Sequence, residues 1–361
     1  MGVFMNKKNL RCFFLFLCLL LICCSACTVK ESENKINELN IVLWNVQNLF
    51  DGNDNETKYN EYRSSSGWSD EKYKARLQSI AQAIEKMSEE SPDIIGLVEV
   101  ENLQVLEDIS QIYLSKYKYL HTFFGKNPDA PLGIGFLSKF PFEDVKLHSI
   151  TNNGETVPRP ILEVKLYIEE KPLVFFICHW KSKREGDDKT ETLRRNSARI
   201  IIRRIQELQE EDPNIPIIVM GDLNENHDEF FRRGNSVVTA LMPDDPIALD
   251  RAGLQKDFLV LSYKKPPLPE YFQENTITFY SPWYHGSGGS YNYKDNWETI
   301  DHFLLSADLF KEIGWSFKSF KVMDEEPFVN NDGYPHSYNV RTGSGLSDHL
   351  PLLLTLELND S

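Results

Sequence analysis

The stretch Ile215-Pro216-Ile217-Ile218-Val219-Met220-Gly221-Asp222-Leu223-Asn224-Glu225-Asn226 decides how the chain reads. Residues 215–220 are apolar, mostly β-branched, and stop at a glycine, the pattern of a short strand buried on both faces. Asp222 and Asn224 then share one side of the extended backbone. A strand fixed in a core gives its C-terminal loop a rigid base, and reactive side chains tend to sit on such bases. Taken alone, Gly-Asp-Leu-Asn reads equally well as a turn whose Asp and Asn satisfy the local backbone. The weight comes from other stretches of the same form.

Residues 39–44 form an apolar strand that ends at Asn45-Val46-Gln47-Asn48. Residues 93–99 form another, ending on Glu99, a carboxylate that is costly there unless paired or bound to metal. The hairpin of 161–168 and 172–178 delivers His179 with Trp180 after it. A lone histidine beside an aromatic is more often a satisfied core residue, and only its strand-end position raises it. Residues 297–305 read as one strand with Asp301 inside the apolar pattern, and Ser347-Asp348-His349 precedes a last strand at 350–356. Further strands are expected at 119–124, 133–137 and 317–323.

Helical periodicity appears between them. Ser69 caps a helix that carries Tyr73, Leu77, Ile80, Ile84 and Met87 on one face. A short helix follows at 103–113. The longest spans 190–210, with Leu193, Ile200, Ile201, Ile205 and Leu208 inward and Arg195, Arg199 and Arg203 along a solvated face whose N-terminal end could reach a phosphate. Residues 227–296 are the least readable. They include a glycine–serine loop at 286–290 rimmed by Trp283, Tyr284, Tyr291 and Tyr293, aromatics that either bind substrate or pack the loop. Strands alternating with helices make the class α/β.

Lys7, Lys8 and Arg11 precede an apolar run at 13–22, and Ser25-Ala26-Cys27 closes it, as in an export signal. The site resembles a bacterial lipoprotein signal in which Cys27 carries the lipid, although Cys24 stands where an aliphatic residue is usual. The expected organisation is a signal segment at 1–26, a tether at 27–39 and one catalytic domain at 40–359. Once the signal is removed only Cys27 and Cys178 of the six cysteines remain, which excludes a disulfide framework. The net charge of −15 becomes more negative still when three basic residues leave with the signal. Such a body does not capture nucleic acid by broad electrostatics, yet it accommodates a local basic groove or a metal that offsets phosphate charge.

Collected, the strand-end groups are Asn45, Glu99, His179, Asp222, Asn224, Asp301, Asp348 and His349. Carboxylates suit a hard cation such as Mg²⁺, and the absence of cysteine ligands or His-rich spacing makes zinc a poor second. With these motifs in order, from Trp44-Asn45 through Ile95-Gly96-Leu97-Val98-Glu99, Gly221-Asp222-Leu223-Asn224 and Thr299-Ile300-Asp301 to Ser347-Asp348-His349, the chain resembles the endonuclease/exonuclease/phosphatase superfamily that includes deoxyribonuclease I.

The resemblance implies a four-layer α/β sandwich of two packed mixed sheets flanked by helices. It also implies metal-dependent hydrolysis of a phosphodiester or phosphomonoester, with nucleic acid ahead of a lipid head group and a non-catalytic surface binding protein a remote third. Asn45, Glu99 and Asp348 would hold Mg²⁺, or Mn²⁺ or Ca²⁺. Asp301 would orient His349, Asp222 and Asn224 would position the nucleophile and a phosphate oxygen, and His179 would contact the phosphate. Two positions depart from relatives: Gln47 replaces an acid near the metal, and Glu101 replaces an arginine that grips DNA. The expected protein is a monomer tied to a bacterial membrane, outer membrane or cell surface, through Cys27.

Overall fold

The apolar runs pair into two large sheets. In the computed structural model the described residues are 35–54, 57–152, 155–157, 159–273, 276–286 and 288–359. The signal segment and Cys27 lie outside them. Asn37–Ser361 is one unit, and of the other, Met1–Ile36, only residues 35 and 36 are described.

The first sheet contains β1 (Glu38–Leu49), β2 (Ile94–Val100), β3 (His121–Gly125) and β4 (Gly133–Ser138). The second contains β5 (Phe142–His148), β6 (Ile161–Ile168), β7 (Lys171–His179), β8 (Ile217–Asp222), β9 (Leu241–Pro243), β10 (Leu259–Ser262) and β11 (Thr278–Tyr280). A small hairpin, β12 (Tyr291–Tyr293) and β13 (Asn296–Glu298), precedes β14 (Asp301–Leu305) of the second sheet. The chain then returns to the first with β15 (Gly314–Val322) and β16 (Leu352–Asn359). The strand orders are β15-β16-β1-β2-β4-β3 and β9-β10-β11-β14-β8-β7-β6-β5.

Three helices were legible in the sequence: α1 (Asp70–Ile84), α2 (Leu103–Glu107) and α3 (Asp187–Glu211). Tyr73, Leu77, Ile80 and Ile84 of α1 pack on Val42, Trp44, Ile95 and Leu97 of the first sheet. Ala198, Ile201, Ile205 and Leu208 of α3 pack on Val174, Phe176 and Val219 of the second. Between the sheets the rings of Phe136 and Phe175 meet with centroids 5.6 Å apart. The Gly96 position also lies so close to Met220 that a Cβ there would fall 2.4 Å from its Cε. Helix, sheet, sheet and helix make the four-layer α/β sandwich that the resemblance implied.

Strand periodicity then places the polar strand ends. Side chains alternate between faces, so if Val219 faces α3, Met220 faces the other sheet and Asp222 continues that inner row. Ile41 and Leu43 lead Asn45 onto the inner face of β1 in the same way, opposite Val42 and Trp44. On β7, Cys178 faces α3 and His179 faces in.

Several sequence expectations shift. Residues 297–305 are not one strand, because β13 closes a hairpin and β14 starts afresh at Asp301. The first strand does not stop at Asn45: β1 runs on to Leu49 across an irregularity, with Gln47 and Asn48 at positive φ. The short helix continues past α2 as a π-helical turn, Asp108–Tyr113. Leu193 is only half-buried, and it is Arg194 that points fully inward from α3. Residues 142–148, unassigned from sequence, pair with β6 as an edge strand whose residues are mostly half-buried or exposed.

Candidate metal-centred active site

Three of the candidate groups lie side by side by register alone. Asp222 pairs with His179 of β7 on one flank and with Asp301 of β14 on the other. Gly221 permits this arrangement. Its φ is +149°, and a Cβ there would stand 2.0 Å from the Cys178 carbonyl oxygen, so the motif needs glycine immediately before its acid. From the first sheet, Asn45 donates Nδ2 to Asp222 Oδ2 at 3.0 Å, and one hydrogen bond thereby joins the two sheets at the floor of the site. The Asn224 backbone N–H donates to Asp222 Oδ1 at 2.9 Å, and its side-chain amide donates to the Trp180 carbonyl.

Glu99 arrives differently. The β2–β4 register slips between Val98 and Val100, leaving Glu99 as an extra residue at φ +68°. A bulge of this kind re-aims a side chain. Glu99 Oε1 lies 3.6 Å from His179 Nε2, whose distance to Asp222 Oδ2 is 3.7 Å. Glu99 Oε2 accepts the Asn48 N–H at 2.9 Å.

The second group is a histidine–carboxylate dyad. His349 Nδ1 and Asp301 Oδ2 are 2.7 Å apart, and Ser290 Oγ also donates to that oxygen at 2.6 Å. The Tyr291 ring lies over the imidazole with centroids 4.6 Å apart. Ser347 ties the dyad to the first sheet, donating to the Asn45 carbonyl and accepting the His349 N–H. Burial opposes charge on His349, but the Asp301 carboxylate outweighs it and pushes the imidazolium up to about 10. Burial, with Asp301 alongside, raises Asp222 to about 7. Burial, aided by Arg159, holds His179 well below its usual range. Asp348 is raised, chiefly by burial.

Glu99, His179, Asp222, Asn224, Asp348 and His349 line one cavity of about 790 Å³. Asp222, Asp301 and His349 bring one ligand atom each within 4.8 Å of one another, close enough to suggest a cation among them. The dyad's geometry argues otherwise. His349 Nδ1 lies at hydrogen-bond distance from Asp301 Oδ2, so that nitrogen and that oxygen are engaged with each other and neither is free for a cation. Glu99 and Asp348 fit a hard cation better. Both are carboxylates lining the cavity, and among the described residues neither forms an ion pair with a lysine or arginine. Asn45 is more committed than expected: its Nδ2 serves Asp222 and its Oδ1 accepts the Gln47 N–H at 3.0 Å, leaving one lone pair of that oxygen.

Sequence reasoning missed the clamp beneath Glu99. Arg76 of α1 is 2% exposed. Its Nη atoms donate to the carbonyls of Val46, Gln47 and Asn48 and to the Tyr62 hydroxyl, and the Tyr338 ring lies 3.9 Å from its guanidinium carbon. No carboxylate ion-pairs with it among the described residues. It therefore fixes the left-handed turn whose Asn48 N–H holds Glu99. An arginine within a helix otherwise marked only by its apolar stripe gives no sign of this in sequence.

The two departures from relatives are structural. Gln47 exchanges hydrogen bonds with the Tyr338 backbone, and the buried Glu101 accepts the Asp51 N–H at 2.7 Å. The aromatic loop divides. Trp283 is buried and donates to the Asp301 carbonyl, and Tyr284 packs edge-on to His227, whereas Tyr291 and Tyr293 line the cavity. Arg199 and Arg203 stay exposed on α3 and Arg195 pairs with Asp257, so the basic residues on the cavity come from elsewhere.

Residues 40–240 match the model of the Endonuclease/Exonuclease/phosphatase family. No curated protein matches the chain in sequence. Among solved structures, the endonuclease/exonuclease/phosphatase from Bacteroides vulgatus has a TM-score of 0.52 at 17% identity, covering 90% of this chain and 100% of that one. A family protein from Bacteroides thetaiotaomicron gives 0.51 at 15%, over 89% and 95%. The human Nocturnin catalytic domain with bound sulfate gives 0.50 at 15%, over 90% and 97%. At these identities the likeness is one of fold.

The dyad yields a prediction with a sign. The folded His349 titrates above its ordinary 6.5, so its pairing with Asp301 stabilises the fold fully below pH 6.5 and ceases to as pH rises through about 10. In metal-free protein at pH 8, NMR should find the His349 ring protonated in the wild type and neutral in Asp301→Asn. His349→Ala and Asp301→Asn should each slow turnover by roughly 10²–10⁴-fold or more, the double variant being little worse than His349→Ala. Losses that multiply would mean that the two act separately.

Proposed function

The chain belongs to the endonuclease/exonuclease/phosphatase family and is a divalent-metal-dependent phosphoric ester hydrolase, and on that premise we propose that it cleaves nucleic-acid phosphodiester bonds with Mg²⁺. One observation carries the reading. Among the described residues Glu99 and Asp348 form no ion pair with a lysine or arginine, and they share a cavity with His179, Asp222 and a carboxylate-bound His349.

When bound, the cation supplies Lewis acidity and alignment. Glu99 and Asp348 would hold it, with the Asn45 amide oxygen beside them. Asp301 engages Nδ1 of His349, which leaves Nε2 for a phosphate oxygen or the attacking water. Asp222, steadied by Asn45 and by the Asn224 N–H, orients that water. The Asn224 amide serves a non-bridging oxygen. His179, between Glu99 and Asp222, contacts the phosphate.

A panel of DNA, RNA, small phosphodiesters and phospholipid vesicles, with Mg²⁺ and with EDTA, tests the proposal. Nucleic acid should be cleaved only with the metal. Glu99→Gln should abolish cleavage and weaken Mg²⁺ binding in calorimetry while the protein stays folded, because an amide is a poor substitute for an anionic ligand. Cleavage confined to the vesicles would transfer the activity to a lipid head group.

We propose further that the protein is exported and lipid-anchored at Cys27, as its first 27 residues suggest. Several acyl chains hold a protein durably where one does so marginally. Cys27→Ser should therefore leave the membrane fraction with its activity intact, and a variant that still pelleted with membranes would refute the anchor.

A further inference from the structure

Five basic side chains line the cavity, and three of them are already neutralised. Lys183 pairs with Glu229 at 2.6 Å, Arg232 with Asp228 at 2.6 Å, and Arg233 with Asp188 and Glu191. Arg159 and Arg184 differ: among the described residues neither lies within ion-pair distance of a carboxylate. Arg159 donates to the Trp180 carbonyl at 2.5 Å, the same oxygen that accepts from the Asn224 amide. That shared acceptor holds Arg159 against the loop after Asp222. Arg184 is exposed on the one-turn segment Lys183–Glu185, just before α3.

Aromatic rings line the cavity beside these two arginines. Tyr59, Tyr291 and Tyr293 all face the cavity, and Tyr291 also covers His349. Burial raises both Tyr59 and Tyr291, with Glu99 adding to the first and Asp348 to the second, and the charge of Arg184 opposes them at both rings.

Glu99, Asp222 and Asp348 make the floor acidic, and away from it Arg159 and Arg184 line the cavity together with the carboxylates Asp187 and Glu298. The protein carries −15 overall, so a polyanion gains nothing from its surface at large and needs a local cation. A guanidinium fork matches a phosphate, and an aromatic face accepts any base. A substrate with a single phosphate would engage the floor and leave Arg184 unused, and a choline-type cation would meet it as a like charge.

We propose that Arg184, together with Arg159, Tyr59 and Tyr291, forms a second anion subsite for the phosphate flanking the scissile one, so that the substrate class is a nucleotide chain bearing at least two phosphates. The proposal rests on the phosphodiesterase reading above.

Two measurements separate the failure of one from that of the other. In the first, Mg²⁺-dependent hydrolysis of thymidylyl-thymidine is compared with that of the same dinucleotide carrying both terminal phosphates. The wild type should favour the phosphorylated form through KM. Arg184→Gln should reduce that preference by about tenfold, the lower end of what a hydrogen bond to a charged group contributes, and Arg184→Lys should restore part of it.

In the second, calorimetry with Mg²⁺ compares thymidine 3′,5′-bisphosphate with thymidine 5′-monophosphate. The bisphosphate should bind more tightly to the wild type, and Arg184→Gln should lose most of the advantage. If neither dinucleotide is cleaved, the phosphodiesterase reading falls and the binding comparison alone decides the subsite. A wild type without a bisphosphate advantage, an advantage untouched by Arg184→Gln, or faster hydrolysis of sphingomyelin vesicles than of either dinucleotide would overturn the proposal.

Discussion

The hydrogen bond from Asn45 to Asp222 is where the two halves of this protein meet, and the site depends on it. Asp222 sits on the inner face of one sheet with Asp301 paired beside it, both buried. Two adjacent buried carboxylates repel one another and lose hydration. Each is offset locally: Asp222 by the Asn45 amide and the Asn224 N–H, Asp301 by Ser290 and His349. Asn45 and His349 reach Asp222 Oδ2 and Asp301 Oδ2 from the first sheet's side of the site, so those two oxygens gain these partners only when the sheets are docked. Folding and assembly of the site are therefore one event.

Period-two alternation carries most of this from sequence. Once 217–222 is a strand with one face on α3, Asp222 must face the other sheet, and the same parity places Asn45 and His179. Glu99 is the exception that parity cannot reach, because a bulge adds a residue and turns its side chain. Its legibility came from the cost of a carboxylate at the end of an apolar run. Asp301 is legible although its strand reads too long: the apolar pattern of 297–305 hides a break at Thr299 and Ile300, between the end of the β12–β13 hairpin and the start of β14.

The unreadable parts share a physical cause. Arg76, Arg159 and Arg184 act through backbone carbonyls, a cavity wall or an exposed turn, and a sequence marks none of these. The arginine stripe on α3 was legible and leads nowhere near the chemistry, while Arg194, buried in the same helix against Glu225 and Glu191, fixes the loop beyond Asp222 from below. Periodicity reports which face is apolar, not which charged residue is enclosed. Gln47 and Glu101, departures that concern metal and DNA when only the chain is read, prove to be partners of backbone N–H groups.

The central claim is a division of labour: Glu99 and Asp348 hold the cation, and Asp301 and His349 stay paired with each other. Anomalous diffraction at the manganese edge, from crystals grown with Mn²⁺, tests it most directly. The account predicts a peak bonded to Glu99 and Asp348, with the His349–Asp301 hydrogen bond intact. A peak among Asp222, Asp301 and His349, with that hydrogen bond opened, would contradict it.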